Sequence, residues 1–552
     1  MALLFDLFGY LTVVLDGLFM VTLAFTVGGI AFLVLLARPL AGLLGDTGRD
    51  ILRRSRFILT ASALGLALAV AGRTALDVMV LAGTTDLTLA GIAGATFVRA
   101  GVVIGGAALL AAAVAITRFD ERRPLLLPLV VCLILGAASL LTHGAARLED
   151  RWQLIALVIV HLAAVAVWIG GLPYFLTALA FSKDHVASHR IGARFSLMAM
   201  AAVFALAASG LGIAYHYIDS AAALYGTAHG AMLTTKVLMF LVLLGFGFKN
   251  MLIVRQLRRS PDAPLLVMRR FAEVELGVGI AVFLCAASLT SLPPAVDLKQ
   301  DRVTWDQLVE RMTPEVPRLT SPDHDTLAIP QLEARLAAAR EAGATGSLPT
   351  AYVPGAGVIV PPTAADLAWS EYNHHWAGIL VLAIGLLALL ERSGFVPLAR
   401  HWPLLFLALA AFVIVRSDPE GWPLGSLGFM ETLRDPEVMQ HRLFALLVIG
   451  FGLFEWGVRT GFLAAKGLAL VFPLLVAAGG TLMLAHSHSL GNIRQELLVE
   501  WTHIPIALLG IAGGWARWLE LRLPPPRGRL AAWLWPLTFV LIGAILLNYR
   551  ES

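Results

Sequence analysis

Only two cysteines occur in the chain, Cys132 and Cys285, each deep within an apolar run, which excludes a disulfide-stapled fold. Charge is scarce as well: 14% of residues are charged, against about 25% in a soluble domain. No phosphate-binding loop, nucleophile elbow or HExxH motif occurs, so nothing points to ATP-driven transport or hydrolysis within the chain. No internal repeat of the secondary-transporter kind is evident. The first eight residues lack a basic segment and a cleavage site, so the first apolar run reads as a retained span. The net charge of +4 raises the question of a nucleic-acid partner. The basic residues lie mostly in short loops between apolar runs, and the positive-inside rule accounts for them without a polyanion.

What is abundant is apolar surface: 58% hydrophobic residues, with a mean hydropathy of +0.80. A hydrocarbon layer of roughly 30 Å needs about 20 apolar residues per helix. On that ruler the sequence predicts an all-α, polytopic integral membrane helix bundle of about fourteen spans. They fall near 9–37, 57–81, 96–117, 124–142, 153–181, 195–218, 230–254, 271–293, 371–391, 402–415, 441–458, 467–485, 500–518 and 531–548. Arg and Lys concentrate after every odd-numbered span, which predicts that both termini are extracytoplasmic. The organisation expected is an eight-span domain (1–293), an extracytoplasmic loop or lid (294–370) with one amphipathic stretch, Gln331 to Ala342, and a six-span domain (371–552).

With that orientation, eleven of the fourteen histidines fall toward the extracytoplasmic side: His143, His161, His216, His229, His324, His374, His375, His441, His486, His488 and His503. Imidazole is the commonest neutral metal ligand, so a one-sided belt reads as a place that receives a metal or holds a haem. In the six-span half, His374 and His375, His441, His486 and His488, and His503 come from four spans at similar depth, with Met483 one turn before His486. Glu371, Glu437 and Glu500 each precede one of these groups by about a turn, where a carboxylate can orient a ligand imidazole. The bland alternative is that interfacial histidines merely cap helix ends.

Within the spans, Asp16, Arg73 and Asp77 are charges that cost about 2.5–3.5 kcal/mol each at a bilayer centre, so each should face protein or water. Arg73 and Asp77 stand four apart and can pair along one helix face, as a structural lock or as part of a polar path. In the seventh span His229, Met232, Lys236 and Met239 share a face, and imidazole beside thioether suits Cu(I). Lys236 repels a cation while protonated and would then anchor a carboxylate such as Asp16 or Asp77. Ordinary packing also explains a methionine stripe. In the fifth span, Trp168 follows His161 by two turns on one face.

Residues 161–171 and about 194–294 resemble the CopD/PcoD copper-resistance family of inner-membrane proteins. The likeness rests on His161…Trp168-Ile-Gly-Gly171, Ser209-Gly210, Tyr225-Gly226, Thr234-Thr235-Lys236, Asn250, Arg269-Arg270…Glu273…Glu275 and Leu289-Thr-Ser-Leu-Pro-Pro294. The resemblance implies a multi-pass protein of the bacterial inner membrane that takes copper from a periplasmic CopC-like carrier and moves it inward. It assigns His161, His229 and Lys236 an acceptor or conduction role. No CopC-like domain is present in the chain, so the carrier would be a separate protein. Residues 371–552 show no family likeness. The leading expectation is a copper permease and not an enzyme, with copper passing by Asp16, Asp77, Trp168 and Lys236. The alternatives are a haem b oxidoreductase, with His375 and His441 or His488 and His503 as axial pairs, and a copper-binding assembly factor that transports nothing.

Overall fold

A computed structural model describes residues 8–551 apart from 86, 183–184, 261–263, 301, 328–362, 420, 426–427, 434–435, 466 and 486–493. Among the described residues there is no strand; the chain is a helical, multi-pass membrane bundle. Twelve helices are long and apolar enough to cross a membrane, and two shorter apolar ones, Leu126–Ser139 and Leu468–Leu484, bring the set into register with the fourteen apolar runs. The chain divides into two compact units, Tyr10–Arg302 and Val303–Ser552 with Met1–Gly9. Residues 303–327, read from sequence as part of a separate loop, fold with the second unit. The amphipathic stretch Gln331 to Ala342 lies outside the described residues.

In the first unit the membrane helices are α1 (Phe8–Phe32), α2 (Gly45–Thr84), α3 (Thr96–Thr117), α4 (Leu126–Ser139), α5 (Arg151–Val165), α6 (His185–Tyr217), α7 (Ala228–Leu257) and α8 (Leu265–Ser291). Two features position the interior. The basic loops meet at one end, where Arg38 and Arg56 both pair with the buried Asp120 carboxylate, Arg56 through Nη1 at 2.8 Å. This ties the end of α1, the start of α2 and the loop after α3 into one clamp. Second, α5 continues through a π-helical turn, Ala166–Gly170, into Leu172–Phe181. Such bulges are frequent at functional sites. This one is possible because small residues let α1 press on it: a Cβ on Gly170 would lie 2.0 Å from the Ala24 carbonyl oxygen, and one on Gly28 would lie 2.1 Å from that of Ala166. The bulge turns Trp168 into the unit, where it is 2% exposed.

The second unit holds α9 (Ala364–Ser393), α10 (Leu405–Arg416), α11 (Pro436–Thr460), α12 (Val471–Ala485), α13 (Arg494–Arg522) and α14 (Arg529–Leu547). Its core is aromatic: Trp402, Phe406, Phe472, Trp535 and Phe539 interlock with Ile384 and Ala388. One end is closed by ion pairs that also receive the indoles. Trp402 donates to Glu391 at 2.9 Å and Trp535 to Glu520 at 2.7 Å, while Arg459 bridges Glu391 and Glu455. Desolvated carboxylates are thus paired and hydrogen-bonded, as burial requires.

Candidate functional site

The polar and sulfur side chains of the first unit gather along α7 and α8. At the start of α7, His229 is 5% exposed; the Leu292 backbone hydrogen-bonds its ring, and Nδ1 is buried with no hydrogen-bond partner. One turn on, Met232 meets Cys285 of α8: the two sulfurs are 4.0 Å apart, and Cys285 Sγ lies 3.6 Å from the Met232 carbonyl oxygen. Both side chains are buried, at 2% and 0% exposure. Lys236 follows another turn on, and its charge acts on the Cys285 thiol and on both His229 and His161. His161 on α5 contacts Ser209 on α6 through Nδ1 at 3.2 Å. The Ser209 hydroxyl donates to the Ala205 carbonyl at 2.7 Å, so it accepts from His161 Nδ1–H and leaves Nε2 with the lone pair.

Farther along, Trp168 and the side-chain amide of Asn250 both donate to Glu275, a carboxylate 2% exposed in α8. The Arg270–Glu273 pair lies half a turn beyond. From His229 to Asn250 the α7 axis rises about 31 Å at 1.5 Å per residue, roughly one hydrocarbon thickness. The result is a column of imidazole, thioether, thiol, amine, amide and carboxylate groups running the depth of a bilayer. His229, Met232 and Lys236 lie along α7 as their spacing predicts, while the tertiary fold brings His161 within electrostatic reach of Lys236 and sets Trp168 on Glu275. Cys285 and Glu275 complete the column without being singled out as ligands from sequence; an ionisable side chain inside a span is the signal that marks Glu275.

Asp16 and Asp77 do not serve Lys236. Arg73 pairs with Asp16 across helices, Nε to Oδ1 at 2.5 Å, in place of the expected pair with Asp77 along α2. Four residues on from Arg73, Asp77 feels its charge but makes no described ion pair. Lys236 likewise has no carboxylate partner among the described ion pairs. The cross-helix pair neutralises Asp16, the more deeply buried of the two carboxylates. Cys132 faces outward from α4 and is exposed.

In the second unit the histidines part company. His375 is 4% exposed and spent on the backbone: Nδ1 accepts from the Arg318 N–H at 2.7 Å, and Nε2 donates to the Tyr549 carbonyl at 2.9 Å. No lone pair is left for a metal. His374 and His503 do approach, with perpendicular rings 6.0 Å apart between centroids; Tyr549 stacks on His374 at 3.8 Å. Each ring is oriented by a backbone carbonyl one turn earlier, Ser370 for His374 at 2.9 Å and Val499 for His503 at 2.8 Å. Glu371, expected to orient these rings, instead pairs with Arg318 at 3.3 Å and accepts from the Glu551 N–H at 3.1 Å. Glu500 is buried. His441 is held by Asp418 at 2.7 Å, a carboxylate 23 residues away in sequence. Burial opposes the charge of Asp418, but the His441 and Ser417 hydrogen bonds and Arg442 outweigh it and hold the carboxyl below the usual range. The side chain of Glu437, and His486 and His488 altogether, lie outside the described residues; Met483 is half-buried on α12. Among the described residues no three His, Cys, Asp or Glu side chains form a metal-binding group, so the expected convergence of six histidines is not seen there.

Residues 189–289, under a fifth of the chain, match the family described as copper resistance protein D. The matched stretch covers α6, α7 and α8, and with them His229, Met232, Lys236, Asn250, Glu275 and Cys285. Comparison with curated proteins and with solved structures gives no significant match.

Proposed function

From the premise that this multi-pass membrane protein is related through residues 189–289 to the copper resistance protein D family, we propose that it accepts copper at the histidine end of the column and passes it across the bacterial inner membrane. The observation that carries this reading is the buried, unpartnered Nδ1 of His229, one turn from the Met232–Cys285 sulfur pair. A buried polar atom without a partner costs about 1–3 kcal/mol, and a lone pair so placed is stabilised by a cation. Imidazole, thioether and thiol together are soft donors suited to Cu(I). The His161 Nε2 lone pair and the amine of Lys236 are the next groups inward, and the Glu275 carboxylate ends the path. Orientation by the basic loops puts the His229 end outside, facing a separate CopC-like copper carrier.

In the second unit, the His374–His503 pair supports a further copper site. Each imidazole is fixed through Nδ1 by a backbone carbonyl, the arrangement usual for metal-ligating histidines. Haem b is the competing occupant. Tyr549 lies 3.8 Å from His374 and 5.8 Å from His503, which favours a small ion over a macrocycle. An optical spectrum of the purified protein separates them, a Soret band supporting haem.

The deciding experiment is Cu(I) uptake into proteoliposomes. Uptake above lipid alone that falls with His229→Ala supports the permease. Copper bound with a native fold but no uptake overturns it in favour of an assembly role.

A further inference from the structure

The first unit contains a second buried charged group that the copper column does not use. Asp16 of α1 is 7% exposed and pairs with Arg73 of α2, whose guanidinium also lies 5.6 Å over the Phe19 ring. Asp77 stands one turn on from Arg73 and is within electrostatic reach of both. Two carboxylates share one guanidinium, which leaves one negative charge in excess. In a lipid-surrounded bundle that excess is removed most simply by a proton on one carboxyl.

Of the three side chains, Arg73 borders open space. Arg73 lines a cavity of about 420 Å³ together with Thr142, His143, Arg151 and Thr290. Liquid water takes about 30 Å³ per molecule, so the cavity accommodates several. His143 links it to the column, since it acts electrostatically on His229 while bonding to the Thr290 carbonyl at 2.8 Å. The charges that act on Asp16 are Arg73 and Asp77, and the one that acts on Asp77 is Arg73. The only charged residue of α3 is Arg99, whose guanidinium lies near Gly94. The Leu172–Phe181 segment packed on α2 carries none. On the cavity rim Arg151 lies 5.6 Å over Trp152.

We infer that Asp16, Arg73 and Asp77 form a proton-binding site that exchanges with water through this cavity and is coupled to copper loading at His229. A monovalent copper ion arriving at His229, within electrostatic reach of His143, raises the potential in the cavity that His143 and Arg73 line. The carboxyl O–H then breaks, its electron pair stays on the carboxylate and the proton leaves to cavity water. One positive charge arrives and one departs. The coupling half of this inference rests on the copper reading; the proton-binding half does not.

Two measurements on the full-length, detergent-purified protein test the two halves. Infrared difference spectra across a pH titration without metal should contain a protonated-carboxyl band that weakens in both Asp16→Asn and Asp77→Asn. Asp77→Asn keeps the Arg73–Asp16 pair, so it guards against loss of fold in the other variant. A spectrum with no such band, or with one unchanged by both substitutions, overturns the site. Adding Cu(I) to weakly buffered protein should release up to about one more proton per copper from wild type than from Asp77→Asn. Equal release from the two overturns the coupling. If wild type binds no copper, the coupling falls with the copper reading, while the infrared band still judges the proton site.

Discussion

Replacing Met232 by Leu isolates the sulfur chemistry of the column from its packing. The two side chains are close in volume, and swaps of this kind in a core cost under about 1.5 kcal/mol. What changes is the donor. With the sulfurs 4.0 Å apart, a metal bonded to each at about 2.3 Å would subtend an angle of about 120°, which suits trigonal sharing with a third ligand. His229, one turn earlier on the same helix, has the unpartnered nitrogen to be that ligand. Loss of an outer hydrogen-bond partner of a metal ligand already costs 10- to 100-fold in affinity, so loss of a direct donor should cost about 100-fold, or roughly 2.7 kcal/mol. Competition against a Cu(I) chelator in detergent measures the affinity, and thermal unfolding of the metal-free protein measures the fold. Expected are an affinity lower by about two orders of magnitude and a nearly unchanged Tm. Cys285→Ala should act non-additively with Met232→Leu, because both donors serve one ion. Wild-type affinity in the Met232→Leu protein, at native stability, would refute the sulfur-pair argument.

Three further outcomes follow from the geometry. Lys236→Met should alter the rate of copper uptake more than equilibrium binding at the His229 end; equal effects on both would make Lys236 purely structural. His375→Ala should lower stability by about 2–4 kcal/mol, since it strands the Arg318 N–H and the Tyr549 carbonyl, while leaving copper stoichiometry intact; a lost metal equivalent in a folded variant would return His375 to the ligand set. The depressed pKa of Asp418 gives a sign for acid. The folded carboxyl titrates below its unfolded value of about 3.9, so its contribution is present above that pH and is lost as pH falls through the folded value. Hydrogen exchange of the segment around His441 should therefore stay slow in mild acid and quicken only in strong acid, and Asp418→Asn should abolish that dependence.

The membrane architecture was legible residue by residue because it is local. Each apolar run long enough to cross a bilayer carries its own evidence. The stripe His229, Met232, Lys236 was legible for the same reason, since one helix sets the spacing. Partners from other helices were not. Asp418 lies 23 residues from the His441 it holds, Arg318 lies 57 from His375, and Cys285 lies 53 from Met232. Local spacing suggested Glu371 and Asp77 in the roles that Ser370 and Asp16 fill.

The sequence alone determined that this is a multi-helix membrane protein and which helix faces are polar. Hydropathy and periodicity are properties of a single segment in contact with lipid. Only the tertiary structure decided which polar group meets which, because that depends on how helices approach. The approach is set by small residues such as Gly28 and Gly170, whose missing side chains let α1 press on the bulge that carries Trp168 toward Glu275.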